Sequence, residues 1–337
     1  MLQKFLKLFK LGYPGFWQKK NNLIEKIIIL LLLPFTFIYY LASKFDKKLT
    51  KTNKVGIPVI SVGNINTGGS GKTPFVIYLV NLLKKEKINS HVVSRGYLGN
   101  LCGPVKVDLK KHSYKDVGDE ALLLAKETTT WVSKNKFEGT LMATLNGADV
   151  VILDDGLQNY SLHQDLKIIV VDGEFGFGNE LPLPAGPLRE SISSGIKKSD
   201  ILILFNKDKN NIEKIIKNKI TIIHGTSKIK NFSNLKNKKI IGFSGIGRSD
   251  KFYSALKEKK LNILKFYSYP DHYSYNKKKI NSLINYAKKN NAVLVSTLKD
   301  KQRINIDQRK KISFLDSKIE IKEEKNLISF LKKRKIV

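Results

Sequence analysis

The chain has 337 residues, enough for two α/β units with buried cores. Its one cysteine, Cys102, excludes an intramolecular disulfide and a cysteine-rich metal site, and fits a reducing compartment. Lys and Arg total 61 against 29 acidic residues, a net charge of +32. The lysines are scattered, so the charge alone fits nucleic acid, an anionic membrane surface, an anionic lipid substrate or a composition drifted towards Lys, Asn and Ile.

The first element is an uncharged run from Ile27 to Ser43, mostly Ile, Leu, Phe and Tyr, with Pro34 in its middle. Its length is the lower limit for crossing a bilayer, about 17 residues. Lys4, Lys7, Lys10, Lys19 and Lys20 precede it; Lys44, Lys47, Lys48, Lys51 and Lys54 follow it. That symmetry gives no orientation across a membrane. Tyr13, Phe16, Trp17, Tyr39 and Tyr40 are aromatic residues of the kind found at lipid interfaces. The pattern predicts a segment lying in, or dipping into, one leaflet with both ends cytoplasmic, ahead of a true span or a buried core helix. No small-x-small site follows, so a cleaved signal peptide is not expected.

Next comes Val62-Gly63-Asn64-Ile65-Asn66-Thr67-Gly68-Gly69-Ser70-Gly71-Lys72-Thr73-Pro74, between a strand-like run (Pro58 to Val62) and a helix-like run (Phe75 to Leu83). Strand, glycine loop and helix are the context of a phosphate-binding loop. Backbone N–H groups of Asn66, Thr67, Gly68, Gly69, Ser70 and Gly71 would curl round an anion at a helix N-terminus. Lys72 would reach the β/γ-phosphates, and Thr73 would hold Mg²⁺. Asn66 stands where the strict pattern has its first glycine, and asparagine, which tolerates the left-handed region, can serve there in a tight turn.

Strand and helix candidates then alternate. Ser90–Ser94 is a short strand; Asp119–Glu127 is a helix opened by Gly118, where Asp119 reads as a site carboxylate or as a plain N-cap. Asp149–Leu153 is a buried strand ending in Asp154-Asp155-Gly156, placed as the metal-holding acid of a phosphate-loop enzyme. Leu166–Val171 and Ile201–Phe205 complete a parallel sheet. Asn206-Lys207-Asp208 fails the guanine-reading pattern at Lys209. A Lys- and Asn-rich stretch, 228–239, reads as a linker. A second α/β unit follows: strand 240–244, helix 250–259, strand 263–267, helix 276–289, strand 292–296 and a strand–helix tail. His272, in a turn-rich stretch, reads as structural or as the partner of a carboxylate. The expected division is a membrane-associated segment at 1–50, a kinase-type domain at 51–227 and a second α/β domain at 228–337.

Together these blocks resemble the tetraacyldisaccharide 4′-kinases, the lipid A 4′-kinases of Gram-negative bacteria. The resemblance rests on the glycine loop, Ser94-Arg95-Gly96-Tyr97, Val117-Gly118-Asp119-Glu120 and Leu153-Asp154-Asp155-Gly156-Leu157-Gln158 with His163. It continues through Phe177-Gly178-Asn179, Leu183-Pro184-Ala185-Gly186-Pro187-Leu188-Arg189-Glu190, Asp271-His272 and Thr297-x-Lys299-Asp300. It implies ATP and Mg²⁺, a tetraacylated glucosamine disaccharide 1-phosphate as acceptor, lipid IVA as product, and two α/β/α domains joined by a β linker. It also implies an N-terminal segment embedded at the cytoplasmic face of the inner membrane. Asp119 is then the base for the 4′-hydroxyl and His272 its dyad partner, met by domain closure. Asp154 serves Mg²⁺ with Thr73; Asp155 and Glu190 are metal or acceptor groups; Arg95 and Arg189 bind substrate or nucleotide phosphate. A membrane-associated ATPase and a nucleic-acid-binding NTPase are the other classes open to such a loop. No motif interleaves basic and aromatic residues, so nucleic acid is not expected.

Overall fold

The computed structural model describes residues 14–19 and 21–337, the side chains of residues 46 and 47 aside. Lys4, Lys7, Lys10, Tyr13 and Lys20 lie outside the described residues, as does the Lys47 side chain. A 3-10 turn, Gly15–Trp17, leads into helix α1 (Leu23–Leu49), which keeps Pro34 in its interior. Within it Leu23–Phe45 is long and apolar enough to cross a membrane, and only 6% of that window is buried.

The first unit keeps the expected β1 (Val59–Gly63), α2 (Lys72–Lys85), β2 (Ser90–Ser94) and α4 (Asp119–Leu124), and adds β3 (Val105–Lys106), α3 (Tyr114–Val117), β4 (Thr130–Val132) and α5 (Lys136–Leu145), which the sequence reading did not mark. It continues with β5 (Val150–Asp154), β6 (Leu166–Asp172), α6 (Ile192–Lys197), β7 (Ile201–Phe205), α7 (Ile212–Ile216) and β8 (Thr221–Lys230). The second unit holds β9 (Lys239–Ser244), α8 (Ser249–Glu258), β10 (Asn262–Ser268), α9 (Lys277–Lys289), β11 (Ala292–Thr297), α10 (Leu298–Gln302) and α11 (Ile306–Arg309). β12 (Ser313–Ile321) and α12 (Glu324–Lys333) close the chain.

The strands form one 12-stranded sheet in the order β10-β9-β11-β12-β8-β7-β6-β1-β5-β2-β4-β3. All pairs are parallel except β3 with β4 and β12 with β8. β1, β5 and β7 are buried along their whole length, as apolar strands covered on both faces should be. One face carries Phe75, Leu79 and Leu83 of α2; the other carries Ile65, Leu157, Phe177, Leu188 and Ile196.

The linker reading needs correction. Lys228 to Lys230 continue β8, and β12 straddles the two units. Its first residues pair with β11 and its last with β8, from Asp316 opposite Lys230 to Ile321 opposite Gly225. Leu327 and Leu331 of α12 then pack into the core of the first unit, beside Phe75 and Leu79. The segment expected as a second domain at 228–337 therefore returns its last strand and helix to the first unit.

The aromatic residues flanking the apolar run also differ from expectation. Phe16 is 2% exposed, and the Trp17 indole N–H donates to the Pro184 carbonyl at 3.0 Å. Tyr39 donates its hydroxyl to the Arg189 carbonyl at 3.0 Å. These tips meet protein backbone, which satisfies them as a headgroup would.

Candidate active site

β1 delivers the chain to the glycine loop at the C-terminal edge of the sheet, where parallel α/β folds place ligands. Gly71, with φ 90°, caps α2 in the left-handed region that only glycine enters freely. Asn64, 1% exposed, braces the loop from inside. Its amide N–H₂ donates to the Gly68 carbonyl at 3.2 Å and to Ser70 Oγ at 3.0 Å; its Oδ1 accepts from Lys72 Nζ at 2.8 Å. Asn66 does not use the left-handed region: it keeps a negative φ and donates its amide to the Gly176 carbonyl at 2.7 Å. Thr67 donates both its N–H and its hydroxyl to the Pro187 carbonyl, at 2.7 and 3.1 Å. Thr73 is the second residue of α2.

The paired aspartates end β5. Asp154 is 3% exposed, and its Oδ1 is buried without a hydrogen-bond partner. Burial pushes its carboxyl up to about 7, and the nearby Glu120 charge pushes it the same way. A buried, partnerless carboxylate oxygen beside a phosphate loop suits a divalent cation, which would supply the missing positive charge. Among the described residues no group of three or more His, Cys, Asp or Glu side chains converges to hold a metal.

Asp155 sits at φ 58° and has a different task. Both its oxygens accept from the Arg189 guanidinium at 2.8 Å, and Lys72 Nζ lies 3.3 Å away. Burial raises its carboxyl, but Lys72 and Arg189 outweigh burial and hold it far below the usual range. Glu190, expected as a metal or acceptor group, instead accepts from Lys198 at 2.6 Å, Gln158 at 2.9 Å and Ser194 at 3.1 Å. It reaches Asp155 only through Gln158 and Arg189. Arg95 is exposed just beyond β2.

The structure brings Asp119 and His272 together across 153 positions: His272 Nδ1 lies 3.2 Å from Asp119 Oδ2. Asp119 is not a helix cap, since the N-cap of α4 is Gly118. Gly118, at φ 83°, has no room for a side chain, because a Cβ there would lie 2.6 Å from the Tyr97 carbonyl oxygen. Two further cations from the second unit complete the group. Arg303 Nε lies 3.2 Å from Asp119 Oδ2; Lys299 Nζ lies 3.0 Å from Glu120 and 3.4 Å from His272 Nε2. A lysine ammonium only donates, so Nε2 accepts and the Nδ1–H points at Asp119. Burial raises the Asp119 carboxyl, but the His272 hydrogen bond and the charges of Lys299 and Arg303 prevail and lower it. Asp119 is therefore a held carboxylate. A cavity of about 310 Å³ opens in front of it, lined by Tyr97, Leu98, Tyr114, His272 and Arg303.

Residues 28–335 match the family described as tetraacyldisaccharide-1-P 4′-kinase. The chain belongs to that kinase family. The tetraacyldisaccharide 4′-kinase of Paramagnetospirillum magneticum is 38% identical over 309 residues, 90% of this chain and 92% of that one. The kinase of the same name from Rhodospirillum rubrum is 36% identical over 313 residues, covering 91% and 92%. Among solved structures, the crystal structure of LpxK from Aquifex aeolicus in complex with ATP superimposes with a TM-score of 0.75 at 29% identity. It covers 91% of this chain and 99% of that one.

Several residues around these groups were not singled out from the sequence. Arg303 and Lys198 belong to no motif with a spacing rule. Lys136, 4% exposed, donates to the carbonyls of Val93 at 2.8 Å and Asp154 at 2.9 Å, tying β2 to β5 beneath the metal-type carboxylate. Its only signal was a lysine opening a helix. Arg248, from the loop before α8, pairs with Asp250 at 2.8 Å and lies over the Phe175 ring. The cavity between Arg248 and the glycine loop measures about 10 Å³, room for about one water.

Asp154 gives a testable pH signature. Its folded-state pKa of about 7 exceeds its unfolded value of 3.8, so between those limits the folded state holds the extra proton. Stability without metal therefore falls as pH rises through that window. Without added Mg²⁺, Asp154→Asn should melt above the wild type at pH 8 and level with it near pH 4, while losing activity at both. Equal melting temperatures at pH 8 would contradict a strained carboxylate.

Proposed function

We propose that this kinase transfers the γ-phosphoryl group of ATP to the 4′-hydroxyl of a tetraacylated glucosamine disaccharide 1-phosphate, giving lipid IVA, at the cytoplasmic face of the inner membrane. The observation that carries the reading is the placement of Asp119 and His272 beside a lysine-bearing phosphate loop. A base from one unit, oriented by the other, meets a cradle for the donor. The β–γ bridging P–O bond breaks, a bond from the 4′-oxygen to the γ-phosphorus forms, and the hydroxyl proton passes to the Asp119 carboxylate. His272 donates its Nδ1–H to that carboxylate and sets its direction; Lys299 fixes the His272 ring from the other side. Lys72 neutralises charge on the transferring group, and the loop amides from Gly68 to Gly71 hold the phosphates. Asp154 and Thr73 would hold Mg²⁺, which when bound would supply further charge neutralisation for the phosphates.

Helix α1 supports the membrane part of this reading, and its contacts favour lying along the surface over crossing. Thr36 and Tyr39 sit near its midpoint and bond the Pro182–Arg189 loop. A helix crossing a bilayer would drag that irregular loop to mid-membrane depth, where lipid-exposed backbone is not tolerated. An in-plane helix buries its apolar face and leaves the loop at the surface.

The direct test is labelled ATP, Mg²⁺ and the tetraacyl disaccharide 1-phosphate in detergent, with the full chain. Labelled lipid is expected; ATP consumption without a phospholipid product would point instead to an ATPase. Removing residues 1–45 should release the protein from vesicles and cut lipid turnover far more than ATP binding. Retained vesicle binding with full turnover would remove the anchor from this account.

A further inference from the structure

We propose that α1 is a positioning element of the catalytic site as well as an anchor: through Thr36 and Tyr39 it holds the Pro182–Arg189 loop against the glycine loop. This rests on the kinase reading above for its activity readout.

The contacts form a continuous hydrogen-bonded path. Thr36, at 8% exposure, is a buried polar residue within the helix's apolar run. Its hydroxyl donates to the Leu32 carbonyl at 3.2 Å, one turn back, and accepts from the Ala185 N–H at 3.1 Å. Tyr39 reaches the same loop one turn further along and donates to the Arg189 carbonyl. On its other side the loop grips the phosphate cradle. Arg189 N–H donates to the Ile65 carbonyl at 2.7 Å, and the Thr67 N–H donates to the Pro187 carbonyl at 2.7 Å. Arg189 is thus held at three points. Its carbonyl meets the helix, its amide meets the glycine loop, and its guanidinium meets Asp155, which neighbours Lys72.

A purely anchoring helix needs none of this. Membrane attachment requires apolar area, which the lipid-facing side already supplies; Leu23, Ile27, Leu30, Leu31, Phe37 and Ile38 are all exposed. The hydroxyls of Thr36 and Tyr39 add nothing to lipid affinity. They bond the Ala185 N–H and the Arg189 carbonyl, and so fix where Arg189 stands. A displacement of a loop by an ångström costs activity through lost alignment, not through lost binding area.

The test uses the full chain in vesicles with Tyr39→Phe, Thr36→Val and the conservative Thr36→Ser. Tyr39→Phe and Thr36→Val should keep wild-type vesicle binding and melt within about 2 °C of wild type. They should lose roughly 5–30-fold in kcat/KM for ATP with the lipid acceptor. Equilibrium binding of Mg²⁺·ATP, which needs no acceptor, should weaken severalfold in the same variants. Thr36→Ser, which keeps the hydroxyl, should restore both. If wild type phosphorylates no lipid, the kinase reading fails, and ATP binding alone decides the positioning role. Either loss, at retained vesicle binding and melting temperature and restored in Thr36→Ser, supports the proposal. Wild-type values for both readouts overturn it, as do losses that follow vesicle binding or melting temperature.

Discussion

Lys72→Ala should lower kcat by on the order of 10³-fold, about 4 kcal/mol of transition-state stabilisation, with the fold intact. The size follows from what Lys72 is placed to do. It stands on the first residue of α2, where its ammonium can meet the charge spread over the transferring phosphoryl oxygens. The fold should survive because the charges Lys72 leaves behind keep partners. Asp155 retains its two contacts to Arg189 at 2.8 Å, and Asn64 retains its bonds to Gly68 and Ser70. Removing Arg189 as well would strand Asp155, so Lys72→Ala is the cleaner variant. Steady-state kinetics paired with a melting curve decide the matter. A folded Lys72→Ala protein with wild-type turnover would exclude this loop as the phosphate site.

Asp119 and His272 should behave as one functional unit. Asp119→Ala and His272→Ala should each lower kcat by about 10²–10⁴-fold, with a far smaller change in KM for ATP. The double variant should be little worse than the weaker single variant, because residues acting together are non-additive. The structure sharpens this expectation. Asp119 Oδ2 faces both His272 and Arg303, so His272→Ala leaves a carboxylate still charged but turned towards Arg303. His272→Gln, which can still donate to Asp119, should recover part of the loss. A double-mutant cycle on kcat alongside melting curves separates this from a structural role. Additive losses that follow stability would rule out the dyad.

The sequence by itself determined the local devices. An apolar run, closely spaced glycines and a Lys-Thr pair make strand, loop and helix N-terminus without help from distant residues, and Ser90–Ser94 and Ile201–Phe205 were legible to the residue. Asp154-Asp155 was legible because a strand end is a sequence-local event. What the tertiary structure alone decided is everything set by approach between distant segments. Asp119 meets His272 and Arg303 only because the second unit folds back over α4, and no periodicity encodes that. β8 was missed because it ends in Lys- and Asn-rich sequence and only its Ile223, Gly225 and Ile229 turn inward, while β12, expected as the strand of the closing tail, gave no sign that it bridges the two units. Phe16, Trp17 and Tyr39 have an apolar body with, in Trp17 and Tyr39, a polar tip, chemistry that serves a lipid headgroup or a backbone carbonyl equally well. Composition cannot choose between the two; the nearness of Pro184 and Arg189 does.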